Sequence, residues 1–323
     1  MKYFISFFFR FIFVDYFFFR KKGQVTVFMF HKINNNKDVF YQGMPSETFE
    51  KFCFYIKKKY KVISLEELNS KALSNDFSYA IITFDDGHKE IIEKAYPILN
   101  RLHLPFNVNI DTEILETGEP QDFVKVYDVL NKTKHPLKIK LPSFDVIDLS
   151  DKTPLQIESL FTSLLSEMTR AKRNLFINEF IEFTKFNRAD FSAMLSKEDI
   201  ALLYKNGVEI GSHSHTHAIL PNLSKEEIEY ELSHSKNILE GIIKSKITTI
   251  AFPNGKTNSE VEVISKKLGY TIFLETEDKS NPLTNIKSEG IVRLKRINQY
   301  HQTLNEALFH TYGVLNKMKF WKK

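Results

Sequence analysis

Short β-branched and aromatic runs alternate with helical stretches along most of this chain, and that alternation limits its fold more than any other feature. QVTVFMF (24–30), KVIS (61–64), SYAIITF (78–84), PFNVNI (105–110), VEIGS (208–212) and TTIAF (248–252) read as strands. Between them, SETFEKFCFYIKKKY (46–60) reads as a helix opened by a Ser46 N-cap with Glu47 in its first turn. LEELNSKAL follows as a short helix, and HKEIIEKAYPILNRL (88–102) as a helix interrupted at Pro97. KEDIALLYKNG closes on Gly207, SKEEIEYELSHSKNILEGII is long, and NSEVEVISKKLG ends at Gly269. Repeated strand–helix alternation predicts a mostly parallel α/β sheet or barrel. Chemistry then belongs at the C-terminal ends of the strands.

Composition permits such a core: 323 residues, 42% hydrophobic and 26% charged, are enough for one large domain or two small ones. The single cysteine, Cys53, cannot form an internal disulfide and reads as a buried small hydrophobe. A formal charge of +5 is too small and too scattered to predict nucleic-acid binding.

Both ends differ from the middle. Residues 3–19 are almost all aromatic or aliphatic but carry Arg10 and Asp15. As a helix they would reach only about 25 Å, short of the roughly 30 Å hydrocarbon core. No A-x-A cleavage pattern follows near residues 20–25, so a secretory signal is not expected. Residues 1–23 read instead as a membrane-interface helix, with Arg20, Lys21 and Lys22 on anionic headgroups. The tail of residues 301–323 reads as a helix ending in KMKFWKK, which again interleaves Lys with Phe320 and Trp321. The expected location is cytoplasmic, peripheral at the inner face of the membrane.

Three strand ends carry polar clusters: Asp85-Asp86-Gly87 after AIITF, GSHSHTH (211–217) after VEI, and FPNG (252–255) after TTIA. Extended, the second cluster would aim His213, His215 and His217 at one face, and an H-x-H pair at a barrel strand end looks like an amidohydrolase. If the chain turns after Ser212, His213 and His217 converge while His215 points elsewhere. Adjacent aspartates cannot both face one side of a strand, so one is free to bind a cation while the other meets substrate or water. Asp86 with two of these imidazoles makes a His₂-carboxylate site of the open, catalytic kind. Such a cation would polarise a water whose proton Asp85 accepts. Gly87 permits the sharp turn.

TFDDG (83–87) and H-S-x-x-H (213–217) resemble the first two motifs of the polysaccharide deacetylases, the metal-dependent NodB-homology family that removes acetyl groups from N-acetylated sugars. The resemblance implies a distorted (β/α) barrel, Asp85 as catalytic base, and Asp86, His213 and His217 as metal ligands, with zinc first and cobalt or nickel also accommodated. His215 would not be a ligand. FPNG resembles the third motif, implying that Phe252, Pro253, Asn254 and Gly255 line the groove and that the Asn254 backbone N–H meets the oxyanion. Two parts of the pattern are missing: the arginine that orients the base falls near Ala251, and no L-x-H signature follows late in the chain. A circularly permuted subset, resembling the deacetylases of biofilm poly-N-acetylglucosamine, places the L-x-H strand first. VFMFHKI (27–33) looks like that strand, with His31 as general acid, and RLKRIN (293–298) resembles a late strand of the same subset, with Arg296 standing in for the missing arginine.

The resemblance covers residues 24–113 and 195–300 of a catalytic domain spanning 24–300. Residues 114–194 read as a mainly helical insertion, either a lid near the groove or an oligomer contact. The expected partner is an N-acetylated glycan, polymeric or lipid-linked. A glycan-binding pseudoenzyme and an H-x-H amidohydrolase are the competing readings. His88, His103, His135, His234, His301 and His310 have no partner motif and are expected to be structural or exposed.

Overall fold

The computed structural model describes residues 22–36, 38–133 and 138–313. Seven parallel strands close into a barrel: β1 (Gln24–Phe30), β2 (Ser78–Phe84), β3 (Asn107–Ile110), β4 (Glu209–Ser212), β5 (Thr249–Ala251), β6 (Ile272–Thr276) and β7 (Ile291–Asn298). They follow one another around the ring in sequence order, and β1 closes it by pairing with both β2 and β7. The first and last strands of the barrel therefore meet, Val27 lying opposite Arg296.

Side chains sort by the two-residue period of each strand. Ala80, Ile82 and Phe84 of β2, with Phe28 and Phe30 of β1, pack outward against a helical layer that includes α1 (Ser46–Lys59). Phe28 meets Phe52 edge-on at 5.1 Å between ring centroids, and Phe30 meets Phe49 at the same distance. Each such phenylalanine, fully buried, contributes on the order of 1.5–3 kcal/mol. The opposite parity, with Val25, Val27, Tyr79, Ile81, Leu274, Val292 and Leu294, fills the barrel interior. Continuing that inward parity toward the C-terminal ends reaches Met29 and His31 on β1, Thr83 and Asp85 on β2, Asn109 on β3, His213 beyond β4 and Arg296 on β7. The lumen is apolar below and ionisable above.

Residues 114–194 are mainly helical, with α2 (Asp122–Lys132), α3 (Pro154–Ser166) and α4 (Arg170–Thr184). They hold a core of their own around Phe161, Phe176 and Phe180, which Phe40 joins from the loop after β1. Thr169 caps α4 and splits what reads in sequence as one helical stretch.

Two local expectations need correction. Pro45, not Ser46, holds the N-cap of α1, and no side chain caps it; Ser46 N–H is met by Asn35 Oδ1 at 3.0 Å. The irregularity in the helix after His88 lies ahead of Pro97 rather than at it. Residues Ile91–Ala95 form a π-turn, with Tyr96 N–H bonded to Ile91 O, so that Pro97 enters the first turn of the regular helix Tyr96–Arg101, where a missing N–H costs nothing. Among the described residues no helix is long and apolar enough to cross a membrane. The aromatic N-terminal segment up to Lys21, and the basic tail from residue 314, lie outside the described residues.

Candidate metal centre and active site

The strand β2 delivers Asp85 and Asp86 with different backbone geometry, and this separates their side chains. Asp85 keeps the inward parity of the strand, while Asp86 lies at φ 70° and Gly87 at φ 79°. A Cβ on Gly87 would also approach Ile114 Cδ1 to 2.8 Å, so the turn needs glycine both for its dihedral and for its contact. Gln121 Nε2 donates to the Asp86 carbonyl at 2.7 Å and holds the turned peptide in place.

Asp85 is clamped inside the barrel. Arg296 Nη1 and Nη2 each donate to one of its carboxylate oxygens at 2.7 Å, and Asn109 Nδ2 adds a third bond at 2.7 Å. Both members of the pair are buried, Arg296 completely. Burial alone would push the Asp85 carboxyl up; the Arg296 guanidinium, aided by His213 and His31, outweighs it and holds the pKa at about 2. The position just before FPNG, where an arginine is expected, carries Ala251, whose carbonyl instead accepts from His213 Nδ1.

The histidine loop turns, as the second of its two sequence readings anticipates. Ser214 and His217 both have positive φ, and Glu231 fastens the turn by accepting from the N–H groups of His215 and Thr216 at 2.9 and 2.8 Å and from the Thr216 hydroxyl at 2.6 Å. His213 and His217 are thereby brought to Asp86, their Nε2 atoms 3.4 and 3.5 Å from its Oδ1. His215 leaves in another direction, toward Glu116. The H-x-H pairing of His213 with His215 is not formed.

Three observations show that Asp86, His213 and His217 suit a divalent cation. Their donor atoms lie within 4.8 Å of one another. Asp86 Oδ1 is buried with no hydrogen-bond partner. His213 Nδ1 lies 2.7 Å from the Ala251 carbonyl, which accepts its proton and leaves Nε2 with a lone pair facing Asp86. Burial, with His213 close by, lowers the His217 pKa to about 4, so that imidazole is neutral at pH 7. Around Asp86, burial opposes the charge, but the neighbouring imidazoles of His213, His31 and His217 hold its carboxyl well below the usual range.

Sequence reasoning missed several neighbours. Tyr41 donates its hydroxyl to Asp86 Oδ2 and lies 3.2 Å from His88 Nε2. Burial, then the Asp86 charge, raises the Tyr41 pKa well above its ordinary value and keeps it a donor. His88, expected to be structural or exposed, is fully buried, and burial lowers its pKa to about 3. Phe123 packs on His217 at 4.8 Å. Asn109 could have been found from the polar–apolar alternation of NVNI; nothing in sequence points from Tyr41 to Asp86.

These groups open into a cavity of about 1000 Å³, lined by His31, Asp85, Asp86, His213, His217, Phe252 and Asn254 from the barrel and by Phe123, Tyr127, Leu165, Met168, Arg170 and Arg173 from the insertion. Pro253 and Gly255 do not line it. They form the turn that presents Asn254 at φ 54°, and Gly255, at φ 65°, packs so close to Thr276 that a Cβ would lie 2.5 Å from its backbone nitrogen.

The model of the polysaccharide deacetylase family matches residues 161–273, which hold the histidine loop and FPNG. Over that stretch the chain is similar to the polysaccharide deacetylase family. A curated relative, the putative polysaccharide deacetylase YxkH of Bacillus subtilis strain 168, is 26% identical over 103 residues, 32% of this chain and 36% of that protein. The chain thus spans about a third of the length of the curated relative it matches. Among solved structures, Streptococcus pyogenes deacetylase PplD in complex with acetate superposes with a TM-score of 0.59 at 16% identity, covering 90% of this chain and 99% of that one. IcaB from Ammonifex degensii does so at 0.56 and 11%, covering 90% and 98%, and a de-N-acetylase from Aggregatibacter actinomycetemcomitans at 0.54 and 15%, covering 91% and 99%. These likenesses identify the barrel as the NodB type.

Proposed function

We propose that this protein is a metal-dependent hydrolase that removes N-acetyl groups from acetamido-sugars of a polysaccharide or lipid-linked glycan. The observation that carries the reading is the meeting of Asp86, His213 and His217, with an unpartnered Asp86 oxygen between them, at the cavity that also receives the Arg296-clamped Asp85. The acetate bound to PplD and the de-N-acetylase character of the Aggregatibacter enzyme support this chemistry.

Asp86, His213 and His217 would hold the cation, zinc first and cobalt or nickel next. When bound it would act as a Lewis acid on the acetamide carbonyl and acidify a water. Asp85, kept ionised by Arg296, takes the proton of the attacking water as its oxygen bonds the acetyl carbon. Arg296 is a positioning residue for that carboxylate. The Asn254 backbone N–H donates to the oxyanion that develops on the acetyl oxygen, and Phe252 walls the cavity beside it. As the C–N bond breaks, its electron pair stays on the sugar nitrogen, which takes a proton from the His31 imidazolium; acetate and a free amine result. His31 suits this role because it sits at the end of β1, on the rim of the same cavity.

The decisive assay is acetate release from N-acetylated oligosaccharides. The His31→Gln variant should lose about 10²–10⁴-fold in kcat on an N-acetylated sugar with KM nearly unchanged, and far less on an activated acetate ester whose leaving group needs no proton. An equal loss on both substrates would remove His31 from the general-acid role. We further place the enzyme at the cytoplasmic face of the membrane, on the strength of its aromatic and basic first 23 residues. Detergent-free fractionation should find it with membranes, and wholly soluble protein would overturn that placement.

A further inference from the structure

The side chain that leaves the candidate active site, His215, ends in a second constellation of ligand type. Its Nε2 lies 3.8 Å from Glu116 Oε2, and His234 Nε2 lies 3.4 Å from Glu116 Oε1. The His215 and His234 rings stand 4.5 Å apart and nearly perpendicular, at 88°. One donor atom from each of Glu116, His215 and His234 falls within 4.8 Å of the others. A tetrahedral ion with bonds of about 2.0–2.1 Å would hold such donors roughly 3.3 Å apart, so little movement separates this arrangement from a closed site. We propose that Glu116, His215 and His234 form a second binding site for a zinc-class divalent cation.

The surroundings favour it. Thr112 Oγ1 lies 2.9 Å from His215 Nδ1; in the tautomer in which Nδ1–H donates to that hydroxyl, Nε2 keeps the lone pair a cation needs. The Tyr230 ring stacks on His234 at 4.9 Å and steadies it on α5 (Lys225–Ile243). Glu231, the other nearby carboxylate, is already committed to the turn of the histidine loop. His215 is buried, whereas Glu116 and the edge of His234 are reached from solvent, which gives an ion a way in.

A cation there would join three pieces of chain that meet only in the fold: the short helix Ile114–Thr117, the histidine loop and α5. The first two are already tied by Glu113 N–H to the His215 carbonyl at 2.9 Å, and Ile114 abuts Gly87 beside Asp86. The second ion would therefore act as a clamp behind the loop that carries His213 and His217.

The test is a cobalt(II) titration of chelator-stripped protein, followed by visible absorption and by metal analysis after gel filtration. Wild-type protein should saturate at two equivalents, His234→Ala and Glu116→Gln at one each, Asp86→Ala at one, and the Asp86→Ala/His234→Ala protein at none. Glu116→Gln keeps the side-chain shape and guards against a folding artefact. A wild type that saturates at one equivalent or none, or a second equivalent that survives His234→Ala, would overturn the proposal. Because the two sites are lost through different variants, failure of this one leaves the Asp86 site separately readable.

Discussion

Arg296→Met should lower the unfolding free energy by about 3–5 kcal/mol, the cost of leaving one buried charge of a pair uncompensated. Arg296 is fully buried, and its two outer nitrogens are spent on Asp85. Removing it leaves a buried carboxylate with only Asn109 as its side-chain hydrogen-bond donor. Asp85→Asn should be destabilising for the converse reason, and the double variant Arg296→Met/Asp85→Asn should recover much of the loss. Urea unfolding of the four proteins in chelator measures the coupling; strictly additive effects would show that the pair is not a unit. The pH dependence has a definite sign. The folded pKa of Asp85 lies below its ordinary value, so the contribution is present above that value and is lost as pH falls from 3.8 toward about 2. Wild type and Arg296→Met should therefore converge in stability across that window.

Asp86→Ala should bind at least one metal equivalent fewer than the wild type and should release acetate at least about 10³-fold more slowly, as the loss of several kcal/mol of transition-state stabilisation requires. Its stability should change far less than that of Arg296→Met. The carboxylate removed is the one with an unpartnered oxygen, and its other partners, His213 and the Tyr41 hydroxyl, retain the Ala251 carbonyl and His88 as contacts. Metal analysis, acetate release and urea unfolding of one preparation separate the outcomes. Unchanged metal content with lost activity would move the ligand role away from Asp86, unchanged activity would remove Asp86 from the mechanism, and a wild type that releases no acetate would leave the glycan-binding reading in its place.

The insertion shows how much a loop can add to a barrel whose chemistry it does not carry. Residues 114–194 bury an aromatic core distinct from that of the barrel, and Phe40 enters it from the loop after β1. Yet Phe123 reaches His217, and Gln121 holds the Asp86 carbonyl. Specificity for a glycan is expected to reside where Tyr127, Met168 and Arg173 face the barrel residues across the cavity.

By itself the sequence determined the alternation of strand and helix, the strand ends at which ionisable groups collect, and the divergence of two adjacent aspartates to different sides. All of these follow from local spacing, because a period of two and a glycine after two aspartates act within a few residues. The choice between the two readings of GSHSHTH was not local. It was made by Glu231, on a helix beyond the loop, and by the Ala251 carbonyl on the next strand. The arginine absent from FPNG reappears from β7 because barrel closure sets that strand beside β1, next to β2, across 211 residues of chain from Asp85. Tyr41 on Asp86, His88 beneath it, and the convergence of Glu116, His215 and His234 belong wholly to the tertiary structure: no spacing encodes contacts between side chains whose separation in sequence is set by how the sheet closes and where an insertion folds back.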